Sequence, residues 1–199
     1  MASFDAQDPD FEVSVRQSFD SLTLMRTLGA RLVSAAPGEV EIDLPFREDL
    51  TQHHGFLAAA VLTAIVDVAC GYAAMTLMPS GASVLTVEYK VNFLSPAQGE
   101  RMLARGRVIR PGRTVTVCAG DVLAVIGGKE KLVATMLATM ATVSGEARDV
   151  ARTEMVATPH SHRLDSHHRP DSSRKARAWC VCRGGGIQRR LREIVRART

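Results

Sequence analysis

Asp67 is the only charged residue between positions 56 and 78, in the run FLAAAVLTAIVDVACGYAAMTLM. Its neighbours are small or aliphatic, and a polar cluster, Gln52, His53, His54 and Gly55, stands just upstream. An acid buried in such a stretch must be paired, kept neutral or put to use. If residues 56–78 form a helix, its first turn offers unpaired N–H groups and a positive dipole end near Leu57, Ala58, Ala59 and Ala60. A carboxylate that activates a water as base or attacks directly as nucleophile, and amides that hold a developing oxyanion, are two halves of an acyl-transfer site. Burial raises the pKa of such an acid and favours a base role. Asp67 lies two to three turns beyond those amides. Both can serve one substrate only if a second chain brings one of them across an interface.

The same stretch has two plainer readings. A membrane span needs about 20 apolar residues. Against it, an ionised Asp near the bilayer centre costs about 2.5–3.5 kcal/mol, and neither Trp nor basic anchors flank the run. No second span is present for it to pack against. An ordinary core helix fits the all-round apolar surface but leaves Asp67 without a role. A core helix that carries a site accounts for both.

The flanking sequence supplies a wrapper for that helix. Residues 1–10 read as a loose terminus. Phe11, Val15, Phe19, Leu22, Met25 and Leu28 recur at helical spacing and predict one amphipathic helix ending at Gly29. Residues 30–35 suggest a short strand, and Pro37-Gly38 a turn. Val40, Ile42 and Leu44 alternate with Glu41 and Asp43, predicting a half-buried strand over 39–46. In the strand over 84–94, Leu85, Val87, Tyr89, Val91 and Phe93 are expected on one face, with Thr86, Glu88, Lys90 and Asn92 on the other. Strands over 101–110, 114–125 and 130–143 follow, joined by Pro111-Gly112-Arg113 and Gly127-Gly128. Short turns make the neighbours antiparallel. The fold class is therefore α+β: a long central helix wrapped by a curved antiparallel sheet.

The net charge of +4 conceals an asymmetry: residues 1–145 carry 12 Lys+Arg against 15 Asp+Glu, and residues 146–199 carry 13 against 6. We therefore read 11–145 as the domain and 146–199 as a basic, disordered tail. Minority readings of the tail are a nucleic-acid or membrane-surface patch, with a short basic helix over 187–196. The spacing of His160, His162, His167, His168, Cys180 and Cys182 is too irregular for a common metal site. Cys70 and Cys118 lie in apolar runs and read as buried free thiols. The acidic opening MASFDAQDPDFE does not resemble a secretory leader, so a reducing cytoplasm is expected.

Three segments together, TQHHGFLAAAVLTAIVDVACGYAAMTLMP, VLTVEYKVNFLSPAQGE and GRVIRPGRTVTV, resemble the PaaI-like acyl-CoA thioesterases of the hotdog superfamily. The resemblance runs from about Val15 to Val143 and excludes the tail. It implies a hotdog fold, side-by-side homodimers that sometimes pair again into homotetramers, and sites at the subunit interface. It implies hydrolysis of acyl- or aryl-CoA to the free acid and CoA, with no metal and no cofactor. Residue by residue, Asp67 matches the catalytic acid, Gln52 the residue that positions substrate or water, and Thr86 the strand hydroxyl that holds the water. The family's usual His-Gly-Gly or His-Ala-Gly turn falls on Ala58, Ala59 and Ala60, so the polarising His is alanine here. His53 and His54 do not fall in the register that would replace it. Arg110 and Arg113, flanking the Pro111-Gly112 turn, are candidates for the coenzyme's phosphates, although a solvated hairpin end explains them as well.

Other functions compete. A hotdog protein that binds acyl-CoA without turnover would suit the alanines. A dehydratase would need a histidine placed to abstract a proton, and no matching position holds one. Nucleic-acid binding would rest on the tail alone; it is not expected of the domain.

Overall fold

The computed structural model describes residues 4–143. Residues 1–3 and 144–199, and with them the expected tail and its histidines and cysteines, lie outside the described residues.

The amphipathic run at the start forms two helices rather than one. Helix α1 spans Phe11–Ser21 and α2 spans Thr23–Leu28, broken where Leu22 adopts an extended conformation. Gly29 stops α2 with φ of 76°, a left-handed cap that glycine reaches without steric cost. Residues 4–10, which precede α1, are not loose. Asp8 is buried, accepting hydrogen bonds from the Asp10 amide at 3.0 Å and the Ser14 hydroxyl at 3.4 Å. Gln7 Nε2 donates to the Leu77 carbonyl at 2.8 Å, and the Phe4 ring packs over Gly38. Side-chain bonds to backbone therefore dock this segment where composition alone suggested fraying.

Strands β1 (Arg31–Ala36) and β2 (Glu39–Pro45) follow as a hairpin, and a chain crossing leads to helix α3 (Ala59–Met75). Then come β3 (Ser83–Phe93), β4 (Arg101–Arg110), β5 (Val115–Ile126) and β6 (Lys129–Val143). The strands make one six-stranded sheet in the order β1-β2-β4-β5-β6-β3, with every pair antiparallel. The helix lies against the sheet, with Ile65, Val66, Ala69, Cys70, Ala73 and Ala74 fully buried. At 17 residues it is shorter than the apolar run, and among the described residues no helix is long and apolar enough to cross a membrane.

Two glycines let the helix sink into the sheet. Gly106 on β4 and Gly120 on β5 are direct cross-strand partners. A Cβ on Gly106 would lie 2.3 Å from the Ala69 carbonyl, and one on Gly120 would lie 2.5 Å from Val66 Cγ2 and 2.7 Å from Cys70 Sγ. Side chains at either place would hold α3 away from the strands. As expected, Cys70 and Cys118 are buried free thiols; burial raises the Cys118 pKa to about 12, and that of Cys70 is also raised.

Strand β3 departs from strict alternation. It is a sheet edge, paired only with β6, and its register shifts between Thr86 and Glu88. Val87 is the extra residue of this bulge, and a bulge reverses which face the following residues present. Before it, Val84 and Thr86 point toward α3; beyond it, Val91 does. Leu85, Val87, Tyr89 and Phe93 are exposed, with Leu85 and Val87 each at 61%. The expected apolar face over residues 85–93 is thus corrected.

Candidate active site

Helix α3 and strand β3 run in opposite directions, which orders their contacts. Near the start of β3, Val84 sits over Gly71. Two residues on, Thr86 Oγ1 donates a hydrogen bond to Asp67 Oδ1 at 2.8 Å. At the far end, Phe93 and Leu94 line a cavity with Leu62 and Gln52. The bulge at Val87 sets the face from which Thr86 meets the acid.

Asp67 is half-buried, and burial raises its pKa above the ordinary value of 3.8; the Thr86 hydroxyl pulls partly in the other direction. The pair lies on a cavity of about 270 Å³ whose other walls include Leu22, Val68, Met75 and Val84. Oδ1 is held by Thr86, which leaves Oδ2 without a hydrogen-bond partner among the described residues. A carboxylate so placed can accept a proton at Oδ2 while Thr86 fixes its orientation.

The start of α3 is later than the apolar run suggests. Phe56 lies in a bend, Leu57 bridges to Thr51, and Ala58, in extended conformation, is the N-cap. This entry is tied down on both sides. The Leu57 amide donates to the Ala97 carbonyl and the Ala58 amide to the Leu50 carbonyl, both at 3.0 Å. Of the four candidate donors, Leu57 and Ala58 are therefore already committed. The Ala59 and Ala60 amides have no backbone acceptor among the described residues, as the first turn of a helix requires. Ala59 lines a cavity of about 430 Å³ together with Gln52, Phe56 and residues 93–97. Gln52 shapes this entry: its carbonyl accepts from Gly55 at 2.9 Å, and its side-chain oxygen accepts from the His54 amide. His53 and His54 are exposed, their rings 3.9 Å apart.

Within one chain, then, the candidate residues fall into separate places. Asp67 and Thr86 meet directly. Gln52 and Ala59 share a second cavity, and eight residues of helix, about 12 Å of rise, separate Ala59 from Asp67. Arg113 lines a third, of about 400 Å³, with Leu77, Met78 and Pro79 just beyond the C-terminus of α3. Arg110 ends β4 and is exposed. Among the described residues neither guanidinium forms an ion pair. A larger cavity, about 520 Å³, opens against β2 and β4; there Arg105 pairs with Glu41 and Glu130, and Arg107 with Asp121, while Glu39 forms no ion pair among the described residues. Among the described residues no group of three or more His, Cys, Asp or Glu is placed to hold a metal ion.

Two residues beside Asp67 escaped the sequence reading. Tyr72 and Ser18 line its cavity with their oxygens 3.1 Å apart. Tyr72 had a signal, being the one aromatic among the small residues that follow Asp67. Ser18 had none, since its helix face is set only by how α1 docks.

Comparison with known proteins bears on the family and the fold. A profile of the thioesterase superfamily matches residues 54–130, which contain α3 and its free amides, Asp67 and Thr86. A candidate esterase of Halobacterium salinarum is 32% identical over 123 residues, covering 59% of this chain and 79% of the relative. Human acyl-coenzyme A thioesterase 13 is 31% identical over 108 residues, covering 52% and 75%. A crystal structure of a thioesterase family protein from Silicibacter pomeroyi shares 50% identity with a TM-score of 0.65, covering 66% of this chain and 96% of that one. An antiparallel sheet around a buried helix and this set of relatives lead to one assignment: the chain belongs to the thioesterase superfamily and has the hotdog fold.

Proposed function

We propose that the domain over residues 11–145 hydrolyses the thioester of acyl- or aryl-CoA, with Asp67 as general base in a site completed by a second copy of the chain. The observation that carries this reading is the Thr86–Asp67 hydrogen bond, made by an acid whose pKa burial has raised. Asp67 takes a proton from a water held by Thr86, and that water's oxygen attacks the thioester carbonyl carbon. The Ala59 and Ala60 amides of the other copy receive the oxyanion, and Gln52 beside them positions the substrate. When the intermediate collapses, the C–S bond breaks and the leaving CoA sulfur takes the proton back from Asp67. Arg110 and Arg113 face solvent for the coenzyme's phosphates. Ala58 offers no side chain to polarise the carbonyl, so turnover is slow for the family.

Release of CoA thiol from short, medium, long and aryl acyl-CoAs tests this. Wild type is expected to turn over at least one class, and Asp67→Ala to lose about 100- to 10,000-fold in kcat, the usual worth of a general base. Ala58→His is expected to raise kcat. Silence from wild type with activity in Ala58→His would mark a binder that has lost its polarising group. Silence from all three folded proteins would refute the enzymatic reading.

A further inference from the structure

The cavity beside Asp67 continues past the acid along α3 to Tyr72 and Ser18. Its remaining lining is apolar, Leu22, Val68, Gly71, Met75 and Val84, apart from Thr86 and Ser83. A second cavity of about 490 Å³ adjoins it, sharing Ser18, Met75 and Ser83. That one is polar, lined by Ser14, Gln17 and Ser21. Neither cavity has a Lys, Arg or His among its lining residues. Burial disfavours ionisation of the Tyr72 phenol; the hydrogen bond with Ser18 offsets this in part, and the charge of Asp20 adds to it.

We propose that Tyr72 and Ser18 are specificity-determining residues that receive an uncharged hydroxyl at the far end of the acyl group and disfavour a carboxylate there. The proposal rests on reading Asp67 and Thr86 as the reaction centre. An acyl chain that starts at Asp67 and follows the cavity reaches Tyr72 after five residues of helix, about 7.5 Å of rise. There a substrate hydroxyl can accept from one of the two side chains and donate to the other. A plain methyl end leaves Tyr72 and Ser18 bonded to each other, so nothing is left unpaired and the discrimination stays modest. A carboxylate would lose its hydration without meeting a cation, and would face the field of Asp20.

The test compares a medium-chain acyl-CoA with its ω-hydroxy and ω-carboxy counterparts. In wild type the ω-hydroxy substrate is expected to exceed the plain one in kcat/KM by about three- to tenfold, the worth of one net hydrogen bond, with the ω-carboxy substrate last. In Tyr72→Phe and in Ser18→Ala the hydroxy-to-plain ratio is expected to fall toward one, whatever happens to the absolute rates. Equal kcat/KM for hydroxy and plain substrates in wild type would overturn the proposal. So would an unchanged ratio in both variants, or a preference for the carboxylate. Non-hydrolysable thioether analogues of the three compounds, titrated by calorimetry, give the same ratios as affinities. If wild type hydrolyses nothing, the enzymatic reading fails while these affinities still decide this one.

Discussion

Asp67 links the chemistry to pH in a definite direction. Its folded pKa is raised above 3.8, first by burial and then offset in part by Thr86. The folded state therefore holds the proton more tightly than the unfolded chain. The stability this supplies is present in full below the unfolded value and is lost as pH rises through the folded value. Above that window the ionised acid carries a fixed desolvation cost. Asp67→Asn should then be at least as stable as wild type at neutral pH while losing turnover; comparing melting temperatures with CoA release checks both. The rate needs the ionised form, so the acid limb of kcat/KM should lie above pH 3.8. Thr86→Val removes the donor that lowers this pKa and should move the limb to still higher pH. A limb that stays in place would show that Thr86 does not touch the acid in solution. At the hairpin, Arg113→Glu should raise KM with little change in kcat if the guanidinium only binds phosphate.

At the scale of elements, the deciding contact is the one between α3 and strands β4 and β5. Gly106→Ala would press a methyl into the Ala69 backbone, which has no rotamer to yield. We expect a loss of about 3 kcal/mol or more, read as a lower urea midpoint. Gly71→Ala is the control, because its new Cβ would meet Val84 Cγ1 at an ordinary 3.7 Å. Replacing a mid-helix glycine there should stabilise by up to about 1 kcal/mol, while filling space in the Asp67 cavity. This contrast also explains what the sequence made legible. Helix α3 stood out because Asp67 interrupts an apolar run, and β4 matched its expected bounds because turn residues bracket it. The beginning of α3 was hidden, since Phe56, Leu57 and Ala58 are apolar whether helical or not. The Val87 bulge was hidden too, because alternation continues in the sequence where the backbone breaks it. Ser18 and Tyr72 meet only through the docking of α1 on α3, a contact between residues 54 positions apart.

At the scale of the molecule, one chain leaves the candidate site divided. The base and the free amides are about 12 Å apart along one helix, too far to act on a single carbonyl. Beside them runs β3, an edge strand with unpaired backbone groups and exposed Leu85 and Val87. Such an edge invites pairing with another strand, and we propose that a second copy of β3 supplies it, carrying its own helix N-terminus toward Asp67. Val87→Lys should then yield monomers by light scattering and lose turnover together with the dimer. A sharper test uses two inactive chains. Asp67→Asn lacks the base. Ala59→Pro lacks one donor amide, and proline is tolerated at the first position of a helix, with Ala58 already at φ −63° and ψ 141° to precede it. In a mixed dimer of the two, one site has lost both groups and the other has kept both. Random reassortment of equal amounts should therefore restore about a quarter of wild-type activity if the dimer is two-fold symmetric. If each chain instead built its own site, the mixture would stay as inactive as its parts.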